Sequence, residues 1–241
     1  MVYITGDIHG GFDIDKLFLR DFMPDDIIII CGDFGFVWEM DYPAVVREQQ
    51  LLNYILDSIS CTVLFVDGNH ENFERLNRLP RIEKFGAEVG VVRDRCYHLL
   101  RGNVYTIEGK TYLAIGGAES HDKKFRKEGI SWWKEESITL ADVAKAEKAG
   151  KVDFVISHCV PEKVKERMCL DGILPLAYIM PSVSEYMLGH LDENLEYDYW
   201  FSGHYHVDEI VGKHIILYND FVEIGEDGNV TKNGRPCDWG F

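Results

Sequence analysis

Five apolar runs in this chain each hand over, at their C-terminal end, to a side chain that binds metal ions. VYIT (2–5) leads into GDIHG with Asp7 and His9, and IIIIC (27–31) leads into GDFG with Asp33. TVLFV (62–66) leads into DGNHE with Asn69 and His70, DFVIS (153–157) into His158, and DYWFS (198–202) into GHYH with His204 and His206. Apolar runs of this length, bounded by Gly, Asp or Asn, read as buried strands. In open α/β sheets ligands bind beyond the carboxyl ends of the strands. Glycine lets the backbone turn sharply there and approach a ligand closely. In an extended segment residues i and i+2 point the same way, so His204 and His206 form half a metal site. A lone HxH in a loop is ordinary solvated sequence; five such strand ends in a chain with nine histidines are not.

Two further apolar runs, TYLAI (111–115) and HIILY (214–218), also read as strands. Between strands lie helical patterns. YPAVVREQQLLNYILDSI (42–59) spaces Val45, Val46, Leu51, Leu52, Ile55 and Leu56 near helical period. TLADVAKAEKAG starts on a Thr139 cap and stops at Gly150. Strands alternating with helices predict α/β architecture. From Glu88 to Ile115, and again after His206, strands follow one another with only turns between, which predicts β-hairpins added to that frame. No repeat, low-complexity tract or linker interrupts the chain, so a single domain over 1–241 is expected.

Composition narrows the function. The chain is 46% hydrophobic, hence globular, and its net charge of −16 is poorly suited to extended nucleic acid, which is bound by phosphate neutralisation. No polybasic segment suits anionic lipid, and no apolar run spans a bilayer. The opening MVYITGDIHG is no signal peptide, and the six cysteines lack CxxC spacing. A cytoplasmic protein with reduced thiols is therefore expected, with Cys31 and Cys61 as core filler.

The ordered blocks DxH, GD, GNHE, a lone His after a strand, and GHxH, spanning residues 7 to 206, resemble the calcineurin-like metallophosphoesterase family. The resemblance implies a four-layer α/β/β/α sandwich of two mixed β-sheets flanked by helices, with a dinuclear metal centre at the strand ends. It implies one metal on Asp7, His9, Asp33 and His206, and a second on Asp33, Asn69, His158 and His204, with Asp33 bridging. A bridging carboxylate offsets the repulsion of two cations, and an imidazole-carboxylate set suits Mn, Fe or Zn better than Ca. It further implies a metal-activated hydroxide that attacks phosphorus, with His70 protonating or stabilising the leaving alkoxide. The substrate is then a phosphorylated small molecule, nucleotide or protein.

The second block departs from the phosphoprotein phosphatases of this superfamily. They continue it as GDxxDRG, whereas GDFGFVWEM has Phe36 in place of the second Asp and lacks the phosphate-clamping Arg. This argues against a eukaryotic-type protein phosphatase and a diadenosine tetraphosphate hydrolase. The stretch AIGGAESHDKKFRKEGISWWKEE (114–136) resembles GGA-x-S-x-D-K and WW-x-E-E of phage-like and bacterial metallophosphatases. Ser120, Asp122, Lys123 and Arg126 are candidate substrate contacts there, and Arg126 offers the planar fork that phosphate prefers. Trp132 and Trp133 either wall the pocket or anchor the loop. His121 beside them is open to either reading. His98, His190 and His214 lie outside every block and read as ordinary surface or satisfied histidines. Mono- and diesterase activity share this core, including diesterases acting on cyclic nucleotides or nucleic-acid ends. The competing class is a non-catalytic scaffold, as in retromer-type subunits, and the intact ligand set with His70 separates the chain from it.

Overall fold

The computed structural model describes residues 1–237; the last four residues of the expected domain lie outside the described residues. The strands are β1 (Val2–Thr5), β2 (Ile27–Ile30), β3 (Thr62–Phe65), β4 (Arg81–Lys84), β5 (Ala87–Arg93), β6 (Cys96–Leu99), β7 (Asn103–Ile107) and β8 (Lys110–Ile115). They continue with β9 (Phe154–Ser157), β10 (Tyr199–Ser202), β11 (Glu209–Val211), β12 (His214–Ile216), β13 (Phe221–Ile224), β14 (Val230–Lys232) and β15 (Arg235–Pro236). The helices are α1 (Asp15–Phe18), α2 (Tyr42–Ile59), α3 (Phe73–Leu76), α4 (Leu140–Ala146), α5 (Glu162–Leu170) and α6 (Val183–Asn194).

Two mixed sheets stack face to face. The nine-stranded sheet runs β15-β14-β13-β1-β2-β3-β6-β5-β4, parallel from β1 through β6 and antiparallel toward both edges. The six-stranded sheet runs β11-β12-β10-β9-β8-β7, parallel from β12 through β8 with one antiparallel strand at each edge. Alternation along β2 explains its all-isoleucine sequence. Ile27 and Ile29 join the core between the sheets, while Ile28 and Ile30 face α2 on the outer side. A strand covered on both faces has no solvent side to make polar. On the other sheet, Phe154, Ile156 and Phe201 point inward, and Val155 and Trp200 pack outward against α4 and α6. Helices thus cover both outer faces, giving the four layers expected.

All seven apolar runs form strands, and the 42–59 pattern is helical throughout. Thr139 caps α4 in a reciprocal box with Asp142, and the chain turns at Gly150 with φ 64°. The two hairpin-rich segments are each divided between the sheets. β5 and β6 belong to the larger sheet and β7 and β8 to the smaller; β11 and β12 belong to the smaller and β13 to β15 to the larger. Sequence spacing carries no signal for that partition, because all of these strands except the exposed β15 carry apolar residues toward the core. The sequence reading also passed over α5 and α6, although Ser182 and Glu185 form a capping box at the start of α6. Cys31, Cys61, Cys96, Cys159 and Cys169 are buried free thiols. Among the described residues no helix is long and apolar enough to cross a membrane.

Candidate metal centre

The parallel strands of both sheets end at one edge of the sandwich, so the loops after β1, β2, β3, β9 and β10 converge. Asp7, Asp33 and His158 are almost wholly buried there, while His206 is exposed. Metal-binding atoms of Asp7, His9 and His206 lie within 4.8 Å of one another, as do those of Asp7, Asp33 and His158, and of His9, Asp33 and His70. His9 Nε2 is 3.2 Å from Asp33 Oδ2, His158 Nε2 is 3.3 Å from Asp33 Oδ1, and His206 Nε2 is 3.2 Å from Asp7 Oδ2. Asn69 Oδ1 lies 3.3 Å from His158 Nε2, and the His204 ring lies 4.8 Å from the His158 ring.

The backbone accepts strain to make this cluster. His9, Asp33, His204 and His206 all have left-handed φ, of 41°, 47°, 72° and 53°. Such residues cost about 1–3 kcal/mol each and persist only where the surroundings over-determine them. Two glycines are required by contact. A Cβ on Gly203 would lie 2.2 Å from Asp7 Oδ1, and one on Gly68 would lie 2.2 Å from Asp33 Oδ1. Their absent side chains let neighbouring amides reach the carboxylates: His204 N donates to Asp7 Oδ1, and Asn69 N and His70 N donate to Asp33 Oδ1, each at 2.8 Å.

The imidazoles are oriented from behind. His158 Nδ1 donates to the Cys31 carbonyl at 2.7 Å, leaving Nε2 toward Asp33. His9 Nδ1 donates to Asp13 Oδ2 at 2.7 Å, and Tyr218, which stacks on His206 at 4.5 Å, donates its hydroxyl to Asp13 Oδ1. Partners of this kind fix which ring nitrogen faces the metal. Electrostatics run against burial. Burial alone would lower the imidazoles, yet Asp33 with Asp7 pushes His158 up to about 10, and Asp33 pushes His9 up to about 9. Burial alone would raise Asp33, but His158 and His9 hold it well below the usual carboxylate range.

A divalent cation fits this donor set. Asp7 Oδ2 is buried and makes no well-aligned hydrogen bond among the described residues, although His206 Nε2 lies 3.2 Å from it. A buried carboxylate oxygen left so is costly unless a cation compensates it. Imidazole, carboxylate and one amide oxygen together match a transition metal.

Three charged residues that sequence reasoning did not single out hold the loops in place. Lys16 Nζ, buried, donates to the carbonyls of Gly6 (3.1 Å), Asp7 (2.6 Å) and Tyr218. Glu71 accepts from Phe34 N at 2.7 Å and from Gly68 N at 2.6 Å, tying the loop after β2 to the loop after β3. Burial and the nearby Asp33 push its carboxyl up to about 8. Arg101 Nε donates to Asp67 Oδ2 at 2.8 Å, and its other nitrogens donate to the carbonyls of Glu135, Glu136 and Ser137. The last glutamate of GNHE was in view as a motif letter, but nothing local marks Lys16 or Arg101.

The 116–136 loop divides its candidates. Arg126 Nη2 reaches His70 Nε2 at 3.2 Å, and Arg126 Nε pairs with Asp122 at 2.6 Å. Ser120 and Lys123 are directed elsewhere. Ser120 donates from both its amide and its hydroxyl to buried Glu136 at 2.8 Å, and Lys123 pairs with the same carboxylate at 2.9 Å. Glu136 draws them inward because a fully buried carboxylate needs donors. Trp133 is buried in the core under α2 and meets Trp38 edge-on at 5.5 Å, which anchors the loop. Trp132 lies under Lys123 Nζ at 5.1 Å. His121 stacks on His204 at 5.3 Å. Outside the blocks, His98 donates to Asp67, His214 lies 3.2 Å from the Tyr197 hydroxyl, and exposed His190 donates to Glu147.

The family profile described as calcineurin-like phosphoesterase matches residues 1–208. The chain belongs to the calcineurin-like phosphoesterase family. The sheet order, the layer count and the position of the cluster in this calcineurin-like chain agree with that assignment. Among curated proteins it is similar to the lariat debranching enzymes of Gallus gallus (26% identical), Danio rerio (27%) and Homo sapiens (27%). The likeness covers 86% of this chain and 40–42% of those proteins, so the chain spans about two-fifths of the length of the curated relatives it matches.

Proposed function

We propose that this chain hydrolyses phosphate esters with two divalent cations of the Mn, Fe or Zn type. Asp7, His9, Asp33 and His206 would hold one cation; Asp33, Asn69, His158 and His204 would hold the other. The observation that carries this reading is a pair of buried carboxylates, Asp7 and Asp33, with the imidazole nitrogens of His206, His9 and His158 3.2–3.3 Å from their oxygens. Bound there, the cations supply Lewis acidity toward the phosphoryl group and a nucleophile at neutral pH.

The protein's own groups supply the rest. His70 would hand a proton to the leaving alkoxide. Arg126 would hold phosphoryl oxygens in place of the arginine that GDFGFVWEM lacks. Its contact with His70, 56 residues away in sequence, supports that role. Asp122 keeps the guanidinium aimed toward His70.

The test is a metal-loading and substrate panel. Mn-loaded protein should bind two equivalents and hydrolyse p-nitrophenyl phosphate, its bis-ester, phosphopeptides or cyclic nucleotides, with a lariat added because of the relatives' name. No more than one bound equivalent overturns the dinuclear centre, and metal binding without turnover on any of these esters overturns the activity.

A further inference from the structure

A cleft of about 570 Å³ opens beside the metal centre, between the loops after β1 and β2 and one face of α2. His9, His70 and His206 form its inner end. On the hydrolytic reading above, His70 faces the leaving group, so this cleft is where that group lies.

Its lining is selective. Gly10 and Gly35 belong to the lining, and their missing side chains let the loops after β1 and β2 pack backbone to backbone. A Cβ on Gly35 would lie 2.3 Å from Gly10 N, and one on Gly10 would lie 2.9 Å from the Gly35 carbonyl. The walls are apolar and aromatic, from Phe12, Leu51 and Trp38. Phe12 is 91% exposed, far more than a phenyl ring serving the core. Trp38 lies 5.6 Å from the His70 ring with planes 34° apart, and its edge-on contact with buried Trp133 fixes its orientation. An indole held by a buried neighbour, with an exposed phenyl ring in the same lining, suits a planar ring better than a branched chain.

Arg47, from α2, lines the same cleft, is exposed, and has no ion pair or hydrogen bond among the described residues. Apart from the histidines at the inner end, the other ionisable groups here are carboxylates. Asp13 is engaged by His9 and Tyr218, and Glu48 by the amides of Trp38 and Glu39 and by Arg75. Glu39 also lines the cleft, so Arg47 does not make it an anion site. An unpaired guanidinium beside aromatic walls suits ring acceptors and stacking.

We propose that this cleft receives a nucleobase carried by the leaving group, so that the substrate is a phosphate ester of a nucleoside. The inference rests on the hydrolytic reading for the placing of the phosphate, and its test does not need turnover. Three phosphonates that resist hydrolysis serve as probes on Mn-loaded protein by calorimetry: an adenosine, a ribose and a benzyl phosphonate. The adenosine compound should bind about ten-fold or more tighter than the ribose compound, the scale of one base stacked on aromatic side chains. It should also bind tighter than the benzyl compound. Trp38→Ala should remove most of the first preference. Arg47→Ala, on the exposed face of α2, should remove the second without threatening the fold. Equal affinity for the adenosine and ribose compounds overturns the proposal, and equal affinity for the adenosine and benzyl compounds reduces it to a general aryl site and overturns the nucleobase. Hydrolysis of the whole ester panel above is measured alongside. Turnover without base preference rejects the cleft assignment alone; base preference without turnover rejects the hydrolytic reading alone.

Discussion

Two buried carboxylates in this molecule, Asp7 and Glu185, are equally withdrawn from water and are treated in opposite ways. Glu185 is 1% exposed and fully satisfied. Oε2 accepts from Lys165 Nζ and Ser182 N, each at 2.5 Å, and Oε1 accepts from the Tyr205 hydroxyl at 2.7 Å. Asp7 is 0% exposed, and its Oδ2 makes no well-aligned hydrogen bond among the described residues and faces only the exposed His206 imidazole at 3.2 Å. The backbone around Glu185 is a capped helix, whereas His9, His204 and His206 around Asp7 are left-handed. Native proteins satisfy buried polar groups, so a satisfied cluster reads as part of the fold and an unsatisfied, strained one as a site awaiting its ligand. The two clusters touch through one residue. Tyr205, held by Glu185, stands between His204 and His206, so the satisfied cluster supports the unsatisfied one.

The sharpest way to break this comparison is Asp33→Asn. It should reduce phosphate-ester turnover to that of metal-free protein and remove at least one bound metal, because an amide cannot neutralise and bridge two cations. The metal-free variant should also lose stability near neutral pH, because His158 and His9 lose the carboxylate that holds them charged. Retention of two bound metals in the variant would overturn the bridging role of Asp33.

The converse substitution, Lys165→Met, should destabilise by about 3–5 kcal/mol, since it strands a buried carboxylate without its cation. Equilibrium unfolding of the metal-free protein measures it. A change below 1 kcal/mol would mean that Tyr205 and Ser182 alone satisfy Glu185.

Metal itself separates the two clusters. Mn at about a hundred times its Kd should stabilise wild type by about 2.7 kcal/mol for each cation bound, and a chelator should reverse this. Lys165→Met should keep the increment, while Asp7→Asn should lose the share of the cation that Asp7 holds. An undiminished increment in Asp7→Asn removes Asp7 from the ligand set.

The smallest expected effect belongs to Arg126→Ala. It should weaken inhibition by inorganic phosphate about ten-fold or more, the scale of a lost charge-assisted hydrogen bond of ~1.5–3 kcal/mol. Metal content should stay the same. Unaltered phosphate inhibition would leave Arg126 as a partner of Asp122 and His70 only.

The strand ends and their ligand types were legible in the sequence because they are local. An apolar run, a glycine and a polar tip lie within a few residues of one another, as at IIIIC-GD and TVLFV-DGNHE. The helix at 42–59 and the Thr139 cap were legible for the same reason. Three things were decided only by tertiary structure: the partition of the hairpins between two sheets, the turning of Ser120 and Lys123 onto Glu136, and the burial of Lys16, Arg101 and Lys165. Each depends on a partner that sequence distance conceals. Lys16 meets the Tyr218 carbonyl 202 residues away, and Arg101 meets Asp67 34 residues away. Charged side chains belong at the surface by default, and only tertiary packing makes burial the lower free energy here. The converging strand ends place carbonyls or a carboxylate beside Lys16 and Arg101, and α6 places Glu185 beside Lys165.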